Sequence, residues 1–204
     1  MKIAVIGAKG RVGKITAEIA RRRGHEVLEI DKDTKNELNV KIDTAIDFTT
    51  ADATDYVIKF CVAHRCNLVT GVTGRTAEQE DKLDELGKKV KVVKSANFSQ
   101  GVDMLGKLCE TALTELKNWD CEIVETHRKG KLDAPSGTAK TLAATACKAK
   151  GGFSTVTVHS VRAGSNYGKH EIILATDGES ITITHQAENA EIFARGAVIQ
   201  AEKL

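Results

Sequence analysis

No charge of either sign dominates this chain of 204 residues: 30 Lys and Arg face 28 Asp and Glu, for a net charge of +2. That near-balance leaves no electrostatic case for nucleic acid or a membrane surface as partner. No run of apolar residues approaches the roughly 18 needed to cross a bilayer. The opening Met-Lys-Ile-Ala-Val-Ile-Gly breaks into glycine too early for a signal peptide, so a cytoplasmic location is expected. The five cysteines (Cys61, Cys66, Cys109, Cys121, Cys147) are odd in number and contain no C-x-x-C pair, which predicts reduced core thiols and no metal site. Proline occurs once, at Pro135, and there are no internal repeats or low-complexity stretches. What remains is the composition of a globular protein, 41% hydrophobic and 28% charged, long enough for one large domain or two small ones.

The first half alternates short apolar runs with longer periodic ones, the pattern of parallel strands joined by crossover helices. Strands are expected at residues 2–6, 26–30, 43–47, 67–70 and 90–94. Helices are expected after the first strand, at 52–65 and at 76–89, the last opened by the capping-box sequence Thr76-Ala77-Glu78-Gln79. Arg21, Arg22 and Arg23 before Gly24 read as a helix C-terminus. Beyond Asn97 the rhythm changes. A helix at 101–116 leads to a strand at 122–126, a polar loop, a helix at 138–150 and consecutive strands at 155–161, 170–176 and 180–185. Asp177-Gly178 marks a hairpin, so a mostly antiparallel second sheet is expected. A last helix, at 189–202, is expected to return to the first domain.

Gly7-Ala8-Lys9-Gly10-Arg11-Val12-Gly13 lies between the first strand and the first helix, where a glycine turn lets backbone amides approach a pyrophosphate. The spacing G-x-x-G-x-x-G is a variant of the dinucleotide fingerprint, and a merely tight strand-to-helix turn also accounts for its glycines. Asp31 ends the second strand roughly twenty residues on, where a carboxylate accepts hydrogen bonds from a ribose diol. Lys32 beside it suits a 2′-phosphate, so use of both NADH and NADPH is expected, with NADH at least tolerated. Asp47-Phe48-Thr49-Thr50 and Gly71-Val72-Thr73-Gly74 end two further strands on the same carboxyl edge.

The stretch from Glu125 to Ala139 reads as a loop between a strand and a helix. Pro135 stiffens it, Ser136 can cap the helix, and the amides of Gly137, Thr138 and Ala139 form a second anion cradle near Arg128, Lys129 and Lys131. A carboxylate or dicarboxylate suits that setting, and His127 can move a proton near neutral pH. Composition alone fits a solvated basic loop before a well-capped helix equally well.

Across essentially its whole length the sequence resembles the dihydrodipicolinate reductase family. The resemblance rests on G-A-K-G-R-V-G, I-D-F-T at 46–49, T-G-V-T-G at 70–74, S-A-N-F-S at 95–99, H-R-K-G-K-L-D-A-P-S-G-T-A at 127–139, R-A-G-S-N-Y-G-K-H at 162–170, and T-H-Q-A with F-A-R-G-A-V near the end. It implies an α/β protein: a Rossmann-like dinucleotide-binding domain over 1–98, to which a C-terminal helix at 188–204 returns, and an α+β mixed-sheet domain over 99–187 that binds substrate and builds a homotetramer. It places the pyrophosphate on Gly7, Ala8, Lys9, Gly10, Arg11 and Val12, and the adenosine ribose on Asp31 and Lys32. The rest of the cofactor falls on Phe48 and Thr49, on Gly71, Val72 and Thr73, and on Ser95, Ala96, Asn97 and Phe98. His127 falls on the family's proton donor and acceptor and Lys131 on its second proton donor. Arg128, Ser136, Gly137 and Thr138 fall on substrate contacts.

The reaction so implied is reduction of a cyclic imine dicarboxylate by NADH or NADPH on the way to lysine and diaminopimelate. A nicotinamide-binding redox sensor, or another small-substrate dehydrogenase on the same scaffold, is the alternative. The sensor needs an output module, and none is expected ahead of the first strand. Three departures from the family pattern stand out. Arg128 replaces a second histidine, Ile199 replaces an arginine, and only about sixteen positions separate Asp31 from Asp47, which implies a lost strand-and-helix excursion. His25, His64 and His159 carry no interpretable pattern. His170 and His185 fall in family motifs without a secure role.

Overall fold

β-Branched runs too short for helices alternate with amphipathic segments, and the chain folds accordingly into strands and crossover helices. The computed structural model describes residues 1–34, 40–152 and 155–204. The chain divides into two compact units, Met1–Phe98 with Ala190–Leu204, and Ser99–Asn189.

The first unit holds strands β1 (Lys2–Ile6), β2 (Glu26–Ile30), β3 (Thr44–Asp47), β4 (Asn67–Thr70) and β5 (Val92–Lys94), with helices α1 (Arg11–Arg22), α2 (Thr54–His64) and α3 (Ala77–Gly87). All five strands are parallel, in the order β2-β1-β3-β4-β5. Ile6, Ile30, Asp47, Thr70 and Lys94 therefore end at one carboxyl edge. A parallel sheet must be covered on both faces, and this one is. On one side Ala17 and Ala20 of α1 meet Ala194, Ala197 and Ala201 of the C-terminal helix over Ile3, Val5, Ile46 and Val69. On the other, Val57, Phe60, Leu83 and Leu86 from α2 and α3 cover Ala4, Ala45 and Leu68. The arginine triplet serves structure: Arg21 pairs with Glu29 and Arg23 with Glu202. Between β2 and β3 the described residues form no helix, in keeping with the short spacing from Asp31 to Asp47.

Two of the element boundaries that differ from expectation in the first unit have local reasons. The fifth strand starts at Val92, not Val90, because Lys89 and Val90 donate their amides back to Leu86 and finish the preceding helix. A 3-10 turn at Ala51–Ala53 precedes α2, and Thr54 Oγ1 donates to Ala51 O at 2.6 Å. The capping box forms as expected, Thr76 and Gln79 bonding reciprocally.

The second unit contains α4 (Gln100–Glu115), β6 (Asp120–His127), α5 (Gly137–Ala149), β7 (Thr157–Arg162), β8 (Lys169–Thr176) and β9 (Glu179–Gln186). Its four-stranded sheet has the order β7-β6-β8-β9. β6 and β7 are parallel because α5 crosses between them, and the other two pairings are antiparallel. Thr176 pairs with Glu179 across the hairpin, where Gly178 adopts a φ of +85°. Leu105, Cys109, Leu142 and Ala146 of α4 and α5 cover Ile123, Ile172 and Leu174. All five cysteines are free thiols, four of them buried.

The last helix, α6 (Glu191–Glu202), lies so close to the segment after β5 that a Cβ built on Gly196 falls 1.7 Å from the carbonyl oxygen of Phe98. Backbone cannot yield as a flexible side chain does. Gly196→Ala is expected to lower the unfolding free energy by roughly 2–4 kcal/mol, despite the better helix propensity of alanine. Urea unfolding followed by circular dichroism checks this, and an unchanged midpoint would contradict the close approach.

Candidate active site

The first unit presents its functional candidates along the carboxyl edge of the sheet. Gly7 holds φ at +81°, Gly10 donates its amide to Gly7 O at 3.0 Å, and a Cβ on Gly13 would lie 2.1 Å from the same oxygen. The three glycines thus close a turn that no larger residue at position 13 permits. The first turn of α1 carries no acidic side chain, and its N-cap, Gly10, offers no side-chain acceptor. An anion is the natural complement of such a terminus.

Asp31 is oriented by its neighbours. Its carboxylate accepts the amides of Lys9 and Lys32, each at 2.9 Å, and these bonds hold its pKa below the ordinary value. Lys9 Nζ pairs with Asp33 at 2.8 Å. A cavity of about 560 Å³ opens beside these groups, lined among others by Gly7, Gly10, Asp31, Lys32, Phe48 and Thr49. Gly71 is required next to Phe48, since a Cβ there would stand 2.3 Å from the ring. Phe48 in turn meets Phe98 edge-on at 6.3 Å. Ser95 Oγ donates to Asn97 O at 2.7 Å and shapes the turn before Phe98. Turn, oriented carboxylate and apolar cleft together fit a dinucleotide, with Gly7 to Val12 suited to its phosphates and Asp31 to a ribose.

In the second unit His127 is not a loop residue. β6 continues through it, because His127 pairs in register with Arg162 of β7 and its carbonyl accepts the amide of Ala163 at 3.0 Å. The strand alternates, so Cys121, Ile123, Glu125 and His127 share the covered face. Glu125 is fully buried, and its carboxylate binds His127 Nδ1, the Arg162 guanidinium at 2.6 and 3.0 Å, and the amide of Ser136 at 3.2 Å. Burial alone would raise its pKa. Hydrogen bonds from Arg162, Ser160 and His127 outweigh burial and hold it at about 2. With Nδ1 committed to an ionised carboxylate, His127 offers Nε2 for chemistry. Gly168 leaves room there, since a Cβ on it would come within 3.0 Å of that nitrogen.

Burial lowers the pKa of His127 below its ordinary value, partly countered by Glu125. Ser136 caps α5 by accepting the amide of Ala139 at 3.2 Å, so Ala139 leaves the expected anion cradle to Gly137 and Thr138. Lys131 Nζ lies 2.8 Å from Asp133, and the backbone of Arg128 and Lys129 docks on Asn166 and Gly164. His127, Lys131, Ser136, Gly137 and Thr138 thus all lie at the end of β6, in the segment leading into α5 or in the first turn of α5, with Arg128 exposed after the strand.

Glu125, Arg162, Gly168 and His170 received no role from their residue types. The available signal for Glu125 was its position two residues after Ile123, a carboxylate on the apolar face of a strand. His170 is 2% exposed, meets His127 edge-on at 5.3 Å, and approaches Ser136 Oγ at 3.4 Å. Its Nδ1 has no partner among the described residues.

Burial, reinforced by the nearby His127, holds the pKa of His170 at about 4. Between pH 6.5 and 4 the unfolded chain takes up a proton there and the folded chain does not, so stability present above pH 6.5 is lost as pH falls towards 4. The loss attributable to His170 is roughly 2–3 kcal/mol. Urea unfolding at pH 7 and pH 4.5 is expected to show a smaller pH-dependent loss in His170→Gln by about that amount. Equal losses in parent and variant would contradict a neutral, buried His170.

Comparison with known proteins agrees with this geometry. Residues 1–98 match the family described as dihydrodipicolinate reductase, N-terminus, and residues 101–204 match dihydrodipicolinate reductase, C-terminus. The chain is 38% identical over 204 residues to the 4-hydroxy-tetrahydrodipicolinate reductase of Thermosipho africanus, covering 99% of this chain and 90% of that protein. It is 32% identical to the enzyme of the same name from Natronomonas pharaonis, covering 100% and 94%. Among solved structures, dipicolinate-bound dihydrodipicolinate reductase from Paenisporosarcina sp. TG-14 shares the fold, with a TM-score of 0.80, 21% identity, and coverage of 100% of this chain and 95% of that one. With both halves matched and its length nearly that of these relatives, the chain belongs to the dihydrodipicolinate reductase family.

Proposed function

We infer that this protein reduces 4-hydroxy-tetrahydrodipicolinate, by way of dihydrodipicolinate, to tetrahydrodipicolinate with NADH or NADPH, a step in lysine and diaminopimelate biosynthesis. One observation of the site carries this reading: an imidazole anchored on a buried carboxylate, one loop away from a capped helix N-terminus in the segment D-A-P-S-G-T. A proton-transfer group and an anion cradle so joined suit a substrate with carboxylates and a C=N bond.

The chemistry a reduced nicotinamide supplies when bound is hydride. Gly7, Ala8, Lys9, Gly10, Arg11 and Val12 would receive its pyrophosphate and Asp31 with Lys32 its adenosine ribose. Phe48, Thr49, Gly71, Val72, Thr73 and the segment from Ser95 to Phe98 would receive the remainder. In the second unit, the first-turn amides of Gly137 and Thr138 hold one substrate carboxylate, with Ser136 shaping the turn, and the exposed guanidinium of Arg128 serves the other. Loss of water from the hydroxylated substrate leaves a conjugated imine. Addition of hydride to it leaves an enamine, which needs one proton to reach the product. His127 Nε2 supplies that proton or Lys131 Nζ does. Burial depresses the pKa of His127, and a dianionic substrate alongside would raise it again towards the working pH.

A cytoplasmic location belongs to the same reading, and the sheet of the second unit supports one further part of it, a homotetramer. Among the described residues, no helix covers the face carrying Val124, Ile173, Thr182 and Thr184. Sedimentation is expected to give four copies, and a monomer at micromolar concentration would remove that part.

Loss of absorbance at 340 nm, with substrate generated in place from pyruvate and aspartate semialdehyde by the preceding synthase, tests the reaction and ranks the two cofactors. A hundredfold preference for NADPH would contradict the role given to Asp31. Replacing both His127 and Lys131 with alanine is expected to lower turnover by roughly 10³-fold or more, with nucleotide binding nearly unchanged. Parental turnover in that double variant would refute their assignment.

A further inference from the structure

Arg75 belongs to none of the motifs that carry the family resemblance, yet its side chain is only 2% exposed. A guanidinium taken out of water needs acceptors for its donors, and four are at hand. Nε donates to Thr54 Oγ1 at 3.1 Å and Nη1 to Val72 O at 2.8 Å. Nη2 donates to Thr70 Oγ1 at 2.6 Å and to Asp47 Oδ2 at 3.2 Å. Glu80 lies 3.9 Å from Nη1.

These acceptors come from three separate pieces of chain. Asp47 ends β3, Thr70 ends β4 with Val72 in the loop after it, and Thr54 begins α2. The Asp47 carboxylate extends the connection, because its other oxygen accepts both the amide of Thr49 at 2.9 Å and the hydroxyl of Thr49 at 2.6 Å. One planar cation therefore ties the loop of Phe48 and Thr49 to the loop of Gly71 and Val72. The spacing between the loops is tight, as the contact of Gly71 with the Phe48 ring requires. Phe48 and Thr49 line the cavity beside Asp31.

We propose that Arg75 is a positioning residue for the nucleotide, holding these two loops at the separation the cofactor requires. The proposal rests on the reading that the carboxyl edge of the first unit binds NADH or NADPH. Arg75 touches no reacting atom in this scheme. It lowers the ordering cost of binding by making the two loops one preformed wall. A lysine in its place can reach one or two of the acceptors but cannot present the planar fork.

The test is direct binding of NADH and NADPH to the full chain by fluorescence titration, with steady-state KM and kcat measured alongside. Arg75→Met is expected to weaken nucleotide binding about tenfold and to raise the nucleotide KM in step, with kcat at saturation changed less than twofold. Arg75→Lys is expected to fall between Met and the parent, and it keeps the test decisive if the methionine variant does not fold. Leu83→Ala, a cavity in the core of the same unit, controls for stability alone and is expected to leave nucleotide affinity unchanged.

Parental affinity in folded Arg75→Met or Arg75→Lys overturns the proposal. So does equal weakening by Leu83→Ala, which would assign the effect to stability. A parent that binds neither nucleotide overturns the cofactor reading, and this proposal with it, whereas a binding parent with indifferent variants overturns the proposal alone.

Discussion

A carboxylate with no access to water must be surrounded by donors or it will not stay ionised, and His127, Arg162 and Ser136 meet that demand for Glu125. Each donor belongs to a different part of the second unit. His127 follows on the same strand, Arg162 comes from β7, and the Ser136 amide opens α5. Arg162 also donates to the carbonyl of Asp133 at 2.6 Å, so the loop before the helix is held by the same pair. The buried charge thereby orients both the imidazole proposed to handle the proton and the start of the helix whose amides are proposed to take an anion. Removing Glu125 would leave the half-buried Arg162 guanidinium without its carboxylate, and such a loss is felt across the whole cluster.

The first unit follows the same physical logic with different parts. Its sheet is covered on both faces by apolar side chains, so polar groups can act only at the ends of its strands. There the buried carboxylate is Asp47 and its cation is Arg75. In each unit, then, a fully buried acid in the last three residues of a strand organises the loop that follows, and the exposed functional groups stand on loops fixed from below. Glycine completes both arrangements, at Gly13 and Gly71 in the first unit and at Gly168 in the second, by leaving out a Cβ where backbone, ring or imidazole already fills the space.

Much of this was legible in the order of residues. Period-two and period-3.6 apolar patterns reflect burial directly, so the strands of the first sheet, the capping box at Thr76 and the hairpin at Asp177-Gly178 could be read locally. Motif spacing pointed to the glycine turn and to His127, Lys131, Ser136, Gly137 and Thr138 because those groups lie close along the chain. The parts that escaped were of another kind. The strand expected at 122–126 runs one residue further, since a polar His127 resembles a loop until the pairing with β7 is known. The start of β5 falls two residues later than its apolar run suggests, since Val90 satisfies an apolar pattern whichever way its amide bonds.

By itself the sequence determined the class of fold, the two kinds of sheet and the family, all of which depend on local propensity and on motifs contiguous in the chain. Tertiary structure alone decided which charges are buried together. Glu125 and Arg162 stand 37 residues apart, and Asp47 and Arg75 stand 28 apart. Nothing in their identity distinguishes them from the solvated acids and arginines elsewhere in the chain. Only the pairing of β6 with β7, and the adjacency of β3 with β4, removes water from these particular groups and obliges each to find the other. Desolvation is a property of the folded environment and not of the residue, which is why the groups that hold both candidate sites in place became visible only in three dimensions.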